Sequence, residues 1–285
     1  MTYDEWFTIY LDLYKRRIAA KTRESYTRLH QLLAPLHRLQ LDQLTPDDVQ
    51  SALIGVELDA GSRQAQLAYT LLHGALRRAV RSKHLTANPV DAVDKPEHQS
   101  AEGRAISETE WQQLQPELQA DIGLALLAYA GLRRGEALGL KRGDIDQASG
   151  LIHIKRQRIR VNGQLTTAPP KSAAAVRDVP IEPDLDAALR RLPLMLPNTL
   201  LVSCSPETLA RRWRRAQERA GIAQPYRLHD LRHTYATRMV RAGINVRVLQ
   251  YMVGHATLDL TMRTYTHIDG NAALAEVSRV RKFLH

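Results

Sequence analysis

The chain has 285 residues, 44% hydrophobic and 25% charged, enough for two ordinary domains that each bury a core. No apolar run approaches the ~20 residues of a membrane span, and the opening M-T-Y-D-E-W-F has acids and aromatics where a secretory leader is basic and then apolar, so a cytoplasmic protein without a membrane anchor is expected. The single Cys204 excludes an internal disulfide and a cysteine-based zinc site, while a net charge of +10 points to a polyanionic partner. Residues 1–95 carry 13 Lys+Arg against 11 Asp+Glu and the remainder 27 against 19, so the positive excess lies mostly in the second part.

In chain order, residues 3–18 and 21–38 read as helices, the second from Tyr26, Leu29, Leu32, Leu33 and Leu36 at helical spacing. Thr45 begins T-P-D-D, an N-cap followed by proline and acids, which predicts a helix over about 46–54. Gly61-Ser62 opens another, running through Leu67, Leu71, Leu72, Leu76 and Val80 to about Arg81; Arg63, Arg77, Arg78 and Arg81 lie on its polar positions. The proline-bearing, aperiodic stretch from Asn88 to Gly103 reads as a linker. A capping box at Ser107 starts a new helix, and 120–131 is an apolar helical run. Strand patterns at 151–159 and 164–168 flank Asn162-Gly163, a hairpin turn signal, and 176–181 suits a third strand. Helical patterns resume at 183–192, 206–220, 229–242, 245–252, 257–265 and 271–285. The expectation is a mainly α protein: a helical N-terminal domain (1–95), a linker (96–104) and an α+β domain (105–285) with one small antiparallel sheet.

Four segments of the second part carry reactive side chains. In G-L-R-R-G-E (131–136), Arg133 and Glu136 are three apart, which alone suggests an ordinary helical ion pair. Lys171 lies in a turn between two strand patterns, where lysine is usually just solvated. In L-H-D-L-R-H (228–233), His229 and His233 have the i,i+4 spacing of a zinc helix, but Asp230 stands where a catalytic glutamate is needed and Arg232 would set a permanent cation beside the metal. His255 precedes Tyr265 by ten residues, and His267 follows. Singly, each has a plainer explanation. Together, two arginines, a lysine, two histidines and a tyrosine suit phosphoryl transfer without a metal. Guanidinium forks hold phosphate oxygens bidentately at any working pH. A histidine can donate to the same oxygens or relay a proton. A phenol with pKa ~10 needs such neighbours to become a nucleophile.

These segments, in this order, resemble the tyrosine recombinase (phage integrase) family over about residues 105–267. The resemblance implies a DNA breaking–rejoining fold preceded by a helical, SAM-like core-binding domain. It implies catalytic roles for Arg133, Lys171 (general acid), His229, Arg232, His255 and Tyr265 (nucleophile), with Glu136 bracing the active-site histidine. It further implies a 3′-phosphotyrosyl intermediate, no cofactor or metal, double-stranded DNA sites as partner, and a tetramer on synapsed DNA that is a monomer or weak oligomer when free. The apolar stripe of the helix at 271–285 would dock on a neighbouring protomer or fold back on its own domain. The sequence opens on the core-binding-like helices, so an additional arm-binding domain is not expected. In this light Lys21, Arg23, Arg63, Arg77 and Arg81 become expected DNA contacts. The competing readings are a sequence-specific DNA-binding protein that no longer cuts, a relaxing topoisomerase of the same chemistry, and a zinc hydrolase.

Overall fold

The computed structural model describes residues 1–99, 103–170 and 173–254. The chain divides into two compact units, Met1–Ala101 with Arg160–Gln164, and Glu102–Ile159 with Leu165–His285. Among the described residues, no helix is long and apolar enough to cross a membrane.

The first unit is helical: α1 (Tyr3–Ile9), α2 (Ala20–Leu32), α3 (Pro46–Ala60) and α4 (Ser62–Arg81). Two of these helices start on reciprocal caps. Thr2 accepts from the Glu5 N–H, while Glu5 accepts from the Thr2 N–H at 2.8 Å; Thr45 and Asp48 repeat the pattern. The expected helix over 3–18 is shorter, because α1 passes into a π-helical turn at Tyr10–Tyr14 and the chain then turns at Lys15. α3 runs past the expected 54 to Ala60, where Gly61 at φ +86° ends it. Small Ala65, Ala68, Ala75 and Ala79 on the buried face of α4 let its neighbours approach closely. Trp6 is fully buried, and its indole N–H donates to the Ala75 carbonyl at 3.0 Å.

In the second unit, Ser107 caps α5 (Glu108–Ala120), followed by α6 (Ile122–Tyr129) and the short α7 (Arg134–Gly139). α6 is apolar on all sides and buried along its length from Gly123, as a central helix must be. Five strands follow: β1 (Ile145–Asp146), β2 (Leu151–Ile154), β3 (Gln157–Val161), β4 (Gln164–Ala168) and β5 (Arg177–Pro180). The single sheet expected from sequence is two: an antiparallel β1-β2-β5 sheet, with Ile152 opposite Val179 and Ile154 opposite Arg177, and a separate β3-β4 hairpin. The predicted strand over 151–159 breaks at Lys155-Arg156, where Arg156 turns to pair with the buried Asp144. Asn162 (φ +48°) and Gly163 (φ +76°) make the hairpin turn the sequence signalled. α8 (Pro183–Arg190), α9 (Pro206–Arg219), α10 (Leu228–Arg241) and α11 (Val246–Val253) complete the described chain. The expected helices at 257–265 and 271–285 lie outside the described residues.

Candidate active site

α7 and α10 begin in the same way. Glu136 accepts from the Arg133 backbone N–H at 2.8 Å and from its guanidinium at 2.9 Å. Asp230 accepts from the Arg227 N–H at 2.8 Å and from its guanidinium at 2.9 Å. Each acid sits in the first turn, where it satisfies an orphan donor and meets the positive helix end.

The start of α10 is fixed by a clamp from α9. The Trp213 indole donates to the Tyr226 carbonyl at 2.9 Å, and Gln217 accepts the Tyr226 N–H at 2.6 Å. The Tyr226 hydroxyl donates to Glu110 at 2.5 Å. His229 and Arg232 are thereby held on the first turns of α10. The loop before Arg133 is set by Gly131, whose φ of +59° and contact with Tyr235 leave no room for a side chain: a Cβ there would lie 2.3 Å from the Tyr235 ring. Gly135 and Gly139 do the same for α7 against β3, where a Cβ would meet the Arg158 carbonyl at 2.9 Å or the Gln157 backbone at 3.1 Å.

These supports bring Arg133, Glu136, His229 and Arg232 together at the C-terminal end of α11. Arg133 donates to the Gly254 carbonyl at 2.5 Å. Arg232, buried, donates to the Gly131 carbonyl at 2.5 Å and to the Val253 carbonyl. Gly254 closes the helix in the left-handed conformation (φ +63°), which presents the last carbonyls to the arginines. His229 keeps an exposed edge, yet desolvation of its ring, then the Arg232 charge, with Arg227 and Arg133 adding, lowers its pKa below the ordinary imidazole value. At neutral pH it is therefore an uncharged donor–acceptor beside two permanent cations. Such a set can hold an anion bidentately and pass a proton at its edge.

The sequence reading did not include Arg177. It is buried at the start of β5 and forks onto Glu136, with both contacts at 3.0 Å. Burial alone would raise the Glu136 carboxyl; the bonds and charge of Arg177, then those of Arg133, outweigh it and hold the pKa below the usual carboxylate value. The available signal was strand alternation, which puts Arg177 on the same inward face as Val179. Also unnoticed was the exposed face of α9, which carries Arg211, Arg212, Arg214, Arg215 and Arg219. Lys171, His255 and Tyr265 lie outside the described residues.

In the first unit, Lys21 pairs with Glu24 at 2.9 Å, Arg23 with Asp12 at 3.2 Å, and Arg63 donates to Gln66 at 2.8 Å; Arg77 and Arg81 are exposed on α4. Among the described residues, Asp4, His30 and His37 form the one group of three whose ligand atoms come close enough for a metal. Its geometry is unsuitable. The two imidazoles stack 4.1 Å apart and 15° from parallel, so their in-plane lone pairs do not meet at one ion, which would need to sit about 2.0–2.1 Å from each ring nitrogen.

Comparison with known proteins gives the family. A model of the phage integrase family matches residues 105–271. The chain is 32% identical over 236 residues to tyrosine recombinase XerC 2 of Ralstonia nicotianae, a match covering 75% of this chain and 63% of that protein. The Tn1549 transposon integrase (residues 82–397), solved in complex with transposon right end DNA, superposes with a TM-score of 0.81 at 20% identity, over 99% of this chain and 100% of that one. A lambda integrase (75–356) dimer bound to a COC' core site gives 0.71 at 20% identity, over 93% and 95%. The chain belongs to the phage integrase (tyrosine recombinase) family, and its mainly helical fold with a small antiparallel sheet is that of integrase core-binding and catalytic domains.

Proposed function

We propose that the protein is a site-specific tyrosine recombinase that cuts and rejoins double-stranded DNA through a covalent bond to Tyr265. The observation that carries this reading is the convergence of Arg133, His229 and Arg232 at the end of α11, directly before His255. Arg133 and Arg232 hold the non-bridging oxygens of one phosphate, where charge builds during attack. His229 and His255 donate to those oxygens or accept the phenol proton, and Glu136 braces Arg133. Tyr265 forms a 3′-phosphotyrosyl link; Lys171 protonates the departing 5′ oxygen. The energy of the phosphodiester is kept in that link, so the reaction needs neither ATP nor metal. A 5′ hydroxyl of the partner strand then attacks, and four protomers on two sites complete the exchange.

In this reading residues 1–95 are the core-binding domain, 96–104 the linker and 105–285 the catalytic domain. The DNA partner is favoured by the net charge of +10, by Lys21, Arg23, Arg63, Arg77 and Arg81, and by the arginine face of α9. Two of the structures that share the fold were solved on DNA.

The test uses duplexes selected from a randomised pool for binding to the wild-type protein, then nicked singly along their length to trap the cleaved state. Wild type is expected to form an adduct that survives detergent, and Tyr265→Phe none. A wild-type protein that binds the selected duplex tightly and never forms the adduct is instead a DNA-binding protein that does not cut.

A further inference from the structure

Glu136 raises a question of charge. Its buried carboxylate accepts twice from Arg133, and a carboxylate so placed would cancel the charge that Arg133 is to offer a phosphate. A second guanidinium lies against the same carboxylate. Arg177 donates from Nη1 to Oε1 and from Nη2 to Oε2, each at 3.0 Å, and its side chain is 0% exposed. One carboxylate and two guanidiniums leave a net charge of +1. Arg177 is sealed in protein, whereas the Arg133 side chain keeps 37% of its surface open. The uncompensated charge therefore faces outward at Arg133.

The remaining bonds of Arg177 go to backbone. Nε donates to the Met252 carbonyl at 2.7 Å and Nη1 to the Ala175 carbonyl at 3.0 Å. Three successive carbonyls at the end of α11 thus each meet a different arginine: Met252 meets Arg177, Val253 meets Arg232 and Gly254 meets Arg133. Through Arg177 the start of β5, the brace Glu136 and the end of α11 share one guanidinium.

We propose that Arg177 is a positioning residue of the strand-cleavage reaction: it neutralises Glu136, so that Arg133 keeps its full charge for the DNA phosphate, and it ties β5 to the end of α11. The proposal rests on the recombinase reading above. Arg177 touches no DNA; it acts through Arg133. A plain structural role would lower stability but leave the rate of adduct formation on folded, DNA-bound protein unchanged.

The experiment compares full-length wild type, R177M, R177K and E136Q/R177M on the selected, nicked duplex. Affinity is measured by titration, and the rate of adduct formation in a single turnover with all DNA bound. R177M is expected to bind DNA as wild type does and to form adduct on the order of 100-fold more slowly, the scale of loss from small misplacement of reacting groups. E136Q/R177M, in which no buried carboxylate is left uncompensated, is expected to be faster than R177M. Wild-type rates from R177M overturn the proposal, and so does a double variant no faster than R177M. If circular dichroism finds R177M unfolded, R177K decides, since lysine keeps a charge but cannot fork: slower adduct formation on bound DNA supports the proposal and a wild-type rate overturns it. Wild type that binds the duplex and gives no adduct overturns the recombinase reading itself, before any variant is compared.

Discussion

The two units bury similar apolar side chains but differ in what else they bury. Among the described residues, the first encloses His30 and Asn88 as its polar groups, whereas the second encloses Gln217 and Thr234 and, beside them, the charged Glu136, Asp144, Arg177, Asp230 and Arg232. The first is a bundle whose geometry follows from apolar spacing. The second spends part of its interior on ions, which is a poor route to stability because desolvation offsets most of the attraction. What such a lattice does supply is fixed position and directed charge. The contrast separates a unit whose interior only holds its shape from one whose interior also holds charged side chains in fixed positions.

Mutations in each unit should therefore fail in different ways. The largest expected effect is on stability. Trp6→Ala removes a fully buried indole and its bond to Ala75, and should cost about 3–5 kcal/mol in chemical unfolding. Adduct formed per bound molecule should stay unchanged; a loss of chemistry on bound DNA would blur the division between units. Next, Arg232→Ala should raise the cleavage barrier by about 2.7–4 kcal/mol, read as single-turnover adduct formation, while DNA affinity falls far less. Equal losses of binding and cleavage would remove its transition-state role. Gly131→Ala forces a methyl into the Tyr235 ring and should cost roughly 1–3 kcal/mol of stability; cleavage should fall with it, because the loop carries Arg133. An alanine variant as stable and active as wild type would show that this packing does not set the site.

The gentlest probe is pH. Burial holds His229 and His233 in the second unit, and His30 in the first, below the ordinary value of 6.5. Their unfolded forms take up protons first as pH falls, so the stability they contribute is present above about 6.5 and declines as pH drops through and below it. Urea unfolding at pH 7.5 and 5.5 should give lower stability at 5.5, and His229→Gln should reduce the difference. An unchanged difference would mean that His229 does not titrate in this range.

Much of the bundle was legible because its signals are local. Leucines at three- and four-residue spacing and the Thr45-Pro46 cap report on neighbours within one turn. The same spacing continued past Ile9, so nothing local announced the π-helical turn at Tyr10–Tyr14 that ends the first helix. In the second unit, the break between β2 and β3 depends on Arg156 finding Asp144 twelve residues earlier. Arg177 finds Glu136 at a distance of 41 residues. No periodicity encodes such pairings. Arg133, Glu136, His229 and Arg232 were picked out through their motifs, and the structure gathers them at one helix end; the motifs said nothing of the third arginine behind them.

Gly131 gives the smallest residue in the protein control over the spacing of two of its largest side chains. The Tyr235 ring lies against it, Arg133 follows it by two residues, and Arg232 grips its carbonyl. The loop that carries Arg133 and the carbonyl that holds Arg232 are thus gauged by an absent methyl group, and any drift at position 131 would shift both without touching a charged residue.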